Sequence, residues 1–146
     1  MTGPDALSDA LVAALQAVLP GDAQVLDHEV LPLKIEDLPI GGAFGVYLFQ
    51  DAPEAGDGST DDLGRHRHRA TFKVELRIPK QPHMLHGTRA GRRLVVRVVQ
   101  ADPTFGGLAN NAWAGSFAVL VNESNSAIAC AVVDVVIEYT FDPEAA

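Results

Sequence analysis

Four of the five histidines fall within 21 positions, at His66, His68, His83 and His86, a density that raises the question of a metal centre. On a strand His66 and His68 would share a face, and His83 and His86 are spaced by one helical turn. No HExxH motif and no cysteine pair completes a tetrahedral set, so packing and surface roles account for these rings. The single Cys130 has no histidine near it in sequence and no GxSxG elbow stands anywhere in the chain, which leaves it a small residue that packs. Gly106-Gly107 lacks both the Lys-Ser/Thr of a phosphate loop and the three-glycine dinucleotide spacing, and no carboxylate pair is set in a cleft by spacing. No catalytic residue, metal or cofactor is expected, and the chain does not read as an enzyme.

Charge is the more informative chemistry. Ten of the eleven basic residues lie between Arg65 and Arg97 against one acid, Glu75, a local balance of +9; the remainder sets Lys34 against eighteen acids, a balance of −17. Such polarity can be neutralised across one folded surface, can complement another copy or a partner, or can hold nucleic acid. The candidate contact residues are Arg65, Arg67, Arg69, Arg89, Arg92, Arg93 and Arg97, with Asp134 and Glu138 as acidic counterparts. Phe72 is the one aromatic residue inside the basic window and belongs to the core-facing set of its strand, so stacking on bases is not provided for locally. With a net charge of −8, any nucleic-acid role would rest on duplex-backbone contacts from the Arg-rich segment 65–97.

These side chains are positioned by elements that the hydrophobic periodicity outlines. Leu7, Leu11, Ala14, Leu15 and Val18 recur at three- and four-residue spacing from Pro4, predicting a helix that Pro20-Gly21 ends. Residues 22–43 carry Pro32, Pro39 and Gly41-Gly42 and read as connection, with a short extended piece at 24–26. Residues 44–50 predict a strand, and 51–64, with almost nothing to bury, a mobile loop suited to partner contact. Residues 67–78 alternate cleanly, with Phe72, Val74, Leu76 and Ile78 facing the core. From Met84 to Val99 the apolar spacing suits a helix; the β-branched residues of Val95 to Val99 would allow a strand, but Arg93 and Arg97 fall on one helical face and Leu94, Val95 and Val98 on another, so a helix is predicted. In it Gly87 and Gly91 would let the backbone approach the sheet or the Ala10/Ala14 face of the first helix. A strand at 117–122, turn residues 122–126 and a long alternating strand from Ala127 to Phe141 complete the chain. The expected fold is a single α+β domain over 1–146. It is an antiparallel sheet of about four strands packed on one face by two helices, in the order α-β-β-α-β-β. With 47% hydrophobic residues, no spanning run and no visible signal peptide, the chain reads as a soluble one without membrane contact.

One stretch is specific. Asp102-Pro103-Thr104-Phe105-Gly106-Gly107-Leu108 follows an apolar helix, and the last strand ends Val136-Ile-Glu-Tyr139-Thr-Phe-Asp142-Pro. Together with the Ala/Leu helix at the start, this resembles the bacteriophage tail terminators, the family that includes a minor tail protein of lambdoid phages. The family has a "DPTLGG"-like turn, with Phe105 standing here in the Leu position. The resemblance marks Asp102, Pro103, Gly106, Gly107 and Tyr139 as structural residues. It implies a homohexameric virion ring that caps the tail tube, stops its polymerisation and presents a surface to head-completion proteins. Such a protein is assembled in the host cytoplasm and ends at the head-proximal end of the tail. Its partners would be itself, the tube protein and the head-completion or connector protein, with DNA only passing through. Another neck or tail-completion role, or a nucleic-acid-binding accessory, remains an alternative reading.

Overall fold

In a computed structural model, which describes residues 3–19, 23–27, 41–54, 66–79, 84–120 and 128–141, the clearest period-two segments form the centre of a sheet. In chain order the elements are α1 (Pro4–Val18), β1 (Gln24–Asp27), β2 (Ala43–Pro53), β3 (His66–Pro79), α2 (Met84–Ala101), β4 (Asn111–Leu120) and β5 (Ile128–Phe141). The strands lie in the order β1-β2-β3-β5-β4. Register explains why the centre holds: Phe44, Leu76 and Ala131 form one cross-strand row, Val46, Val74 and Val133 the next, and Leu48, Phe72 and Val135 a third. Rows of branched and aromatic side chains on one face leave a continuous apolar surface for the helices to cover.

Both helices cover that face. Leu7, Leu11 and Leu15 of α1 and Val95, Val98 and Val99 of α2 join one core with the sheet residues. Burying each of these side chains contributes about 1.5–3 kcal/mol. α1 packs over β1 and β2, whereas α2 packs over β3, β5 and β4, so the two helices occupy opposite ends of the sheet while touching each other. At Gly91 the helix comes close to the sheet: a Cβ there would overlap Leu76 and meet Phe44 Cζ at 3.3 Å. The glycine thus serves contact with the sheet rather than with α1. Val18, expected on the packed stripe of α1, is 48% exposed at the last residue of the helix.

The fold is α+β, but two expectations need correction. Among the described residues the sheet has five strands, and it is mixed, since β1 pairs in parallel with Ala43–Val46 of β2. β1 has four residues, too few to display an alternation, and its partner begins nineteen positions later. The element order is therefore α-β-β-β-α-β-β. Secondly, residues 51–53 are strand and not loop: Asp51, Ala52 and Pro53 pair with Ala70, Arg69 and His68. Residues 55–64 of the expected loop, and the expected turn at 122–126, lie outside the described residues. β4 begins at Asn111 and not at Phe117; an irregularity between Ala114 and Phe117 interrupts its alternation and hides the first half. No helix among the described residues is long and apolar enough to cross a membrane.

A similar irregularity between Leu48 and Gln50 has a specific effect. Before it the core-facing residues of β2 are Phe44, Val46 and Leu48; after it the extra residue Phe49 shifts the pairing so that Asp51 stands opposite Ala70 on the core side. Phe49 itself is left 62% exposed.

Candidate functional site

The outward side of α2 is built from the same periodicity that buries its inward side. Arg89, Arg93 and Arg97 recur at four-residue steps with Arg92 beside them, and all four are exposed. With Val96, Gln100 and Phe117 of β4 they line an open groove of about 590 Å³ along the α2/β4 flank. The Arg92 guanidinium lies over the Phe117 ring, 5.0 Å from its centre, a cation–π contact on an apolar floor. The aromatic neighbour absent from the basic window is thus supplied by β4, 25 positions away, where no local pattern could reveal it. Among the described residues no carboxylate pairs with any of these four arginines. Like charges at four-residue spacing oppose the helix by a few tenths of a kcal/mol per pair. Among the described residues no acidic side chain offsets that penalty.

The sheet arginines are in a different state. On the face turned away from the helices, Arg69 lies 3.8 Å from Glu138, Lys73 lies 2.8 Å from Asp134, and Arg67 lies 3.7 Å from Glu54. Arg77 Nη2 donates to Glu75 at 2.9 Å. Arg69 also lies over Trp113, 5.5 Å from the ring centre, and Lys73 over Phe49, at 4.5 Å. The Glu138 carboxyl is held above its usual range, first by a hydrogen bond with the Glu54 carboxyl and then by burial, while Arg69 and Arg67 pull it back down. Of the predicted contact residues, Arg67, Arg69, Asp134 and Glu138 are therefore brought together and satisfied within the chain, whereas Arg89, Arg92, Arg93 and Arg97 are not; Arg65 lies outside the described residues. Phe49 and Trp113 on this face escaped the sequence reading because each sits at or near an interruption of strand alternation.

The residues of the turn motif act structurally. Asp102 accepts hydrogen bonds from the Thr104 hydroxyl at 3.1 Å and the Gly106 amide at 2.9 Å. Gly106 and Gly107 follow at φ 70° and 93°, values that glycine adopts without strain, and Phe105 at φ 48° turns its ring into the core. The Asn110 backbone N–H then donates to the Glu138 carbonyl at 2.7 Å, which starts β4 alongside β5. Tyr139 is fully buried, and its hydroxyl donates to the Asp51 carboxylate, at 2.8 and 2.9 Å from the two oxygens. Burial, and then that hydrogen bond, push the phenol well above its ordinary range. His68 Nδ1 lies 3.4 Å from Asp51, and its ring packs against Tyr139 and Phe141. His83 lies outside the described residues, as does the side chain of His86. Among the described residues no three His, Cys, Asp or Glu side chains converge as metal ligands.

Cys130 lies on the face away from the helices, in a small buried cluster with Ala43 and Ile128. Burial pushes its thiol up, with Arg77 offsetting part of the effect. Since the thiolate is the reactive species, native protein should react with a disulfide reagent much more slowly than urea-unfolded protein; equal rates would contradict this burial.

No protein-family model and no curated protein matches the chain. A chain among solved structures aligns over 95% of this one and 94% of its own length, at 15% identity and a TM-score of 0.49, a likeness too distant to carry a functional conclusion.

Proposed function

We propose that the protein is a structural virion component, a bacteriophage tail terminator that forms a homohexameric ring, caps the tail tube, stops its polymerisation and offers its other surface to head-completion proteins. It works by matching surfaces and transforms no molecule. The observation that carries this reading is the uncompensated arginine row on α2: four exposed guanidiniums with no described carboxylate partner, on a chain whose sheet arginines are paired. Guanidiniums in a row recognise carboxylates or phosphates, and among the described residues the groove is lined by no nucleophile, acid or base that would act on them. The turn from Asp102 to Leu108 and the Tyr139 strand end, which carry the resemblance to tail terminators, add the family expectation of a ring.

Electron microscopy of particles made without this protein tests the role. Tails of excessive and variable length are expected, and headless or unjoined particles should accumulate; tails of normal, uniform length would remove the terminator role. A nucleic-acid-binding role is the second reading, favoured by Arg92 lying over Phe117 in the groove.

A further inference from the structure

We infer that neighbouring subunits join flank to flank, the arginine groove between α2 and β4 of one copy receiving the acidic outer side of α1 of the next. This inference rests on the ring reading above and names the contact that would build it.

Position, charge and spacing each support it. α2 and β4 form one flank of the sheet, whereas α1 lies over β1 and β2 at the other. α2 carries Arg89, Arg92, Arg93 and Arg97 and no acid; α1 carries Asp5 and Asp9 and no basic residue. All six side chains are exposed, and among the described residues none of them has an ion pair. Asp5 and Asp9 are four residues apart on a helix, about 6 Å along its axis, and Arg89, Arg93 and Arg97 repeat at the same step. Two carboxylates can therefore meet two guanidiniums in step, while Arg92 remains on Phe117 as the groove floor.

The occupant that fits is a second copy. Two different, complementary patches at opposite flanks of one chain make a heterologous contact, which propagates head to tail and closes when the rotation per subunit divides a full turn. A two-fold dimer through the groove would instead set arginines against arginines. The overall charge of −8 also works against nucleic acid as the preferred occupant.

Charge reversal tests this on the full chain by sedimentation velocity and light scattering, with circular dichroism confirming that each variant keeps its fold. In one variant Arg89→Glu, Arg93→Glu and Arg97→Glu make the groove acidic; in a second, Asp5→Arg and Asp9→Arg make α1 basic. Each alone should lose the ring, with association weakened by roughly tenfold or more. Mixed in equal amounts, the two should alternate around a ring of even subunit number and restore it, and a chain bearing all five substitutions should assemble by itself. The contact is overturned if either variant assembles like the natural chain, if neither the mixture nor the five-fold variant recovers, or if the natural chain stays monomeric at its highest soluble concentration. Groove variants that assemble normally but lose binding to a DNA duplex overturn it in favour of nucleic acid. Swaps that fail while tails overgrow without the protein reject this contact and leave the terminator role standing; swaps that succeed while tails stay uniform do the reverse.

Discussion

Replacing Gly91 by valine should destabilise the protein by about 3 kcal/mol or more and lower its melting temperature by roughly 6–12 °C. Valine adds a branched carbon at the point where a Cβ alone would overlap Leu76 and sit 3.3 Å from Phe44 Cζ. Leu76 and Phe44 are both buried in the row that also holds Ala131, so neither can swing into free space without disturbing the central strands. Gly91→Ala should be milder, because the helix gains about 1 kcal/mol in propensity while the overlap costs more than that. Thermal and urea unfolding followed by circular dichroism measure both. In the valine background, Leu76→Ala should destabilise less than the two changes added separately, since it vacates the volume that the valine needs. A Gly91→Val protein as stable as the natural one would mean that α2 does not lie this close to the sheet.

The second large effect concerns Tyr139. Tyr139→Phe removes a buried hydroxyl that donates to a carboxylate and should cost about 1.5 kcal/mol at neutral pH. Asp51→Ala should cost at least as much, because it leaves that hydroxyl buried without its acceptor. The pH dependence separates this bond from simple packing. The phenol is held above its ordinary value of 10.0 in the folded chain, so its stabilisation is complete below that value. As pH rises past about 10 the unfolded chain ionises while the folded chain does not, and stability falls by up to about 1.4 kcal/mol per pH unit. The Phe variant lacks this contribution, so the gap between the two proteins should narrow on going from neutral to strongly alkaline solution. Urea unfolding in the two conditions reads the gap; one that stays constant or widens would mean that the phenol is not held protonated by its surroundings.

Why some of this was legible in the chain and some was not follows from range. α1, α2, β3 and β5 announce themselves because their periods run for many residues, and the choice of helix over strand at Val95–Val99 was decided by where Arg93 and Arg97 fall on the wheel. The division of the arginines into paired and unpaired sets could not be read. It depends on β5 lying beside β3, which puts Glu138 opposite Arg69 and Asp134 opposite Lys73. The groove was equally hidden, since Phe117 meets Arg92 only after β4 has folded back along β5. Asp51 reads as loop for a local reason: the chain around it carries no apolar alternation, and its strand pairing is with backbone.

The additional residue at Phe49 sets where a charge sits. A strand's facing is a matter of odd and even, and a single supernumerary position inverts the parity of everything beyond it. Were Phe49 to take its own place in the ladder instead of bulging out, the count would carry Asp51 to the open side opposite Arg69, and the Tyr139 hydroxyl would be left with no anion to answer it. One residue of slippage therefore decides which side of the molecule a negative charge inhabits, and ties the last strand to the second across the one between them.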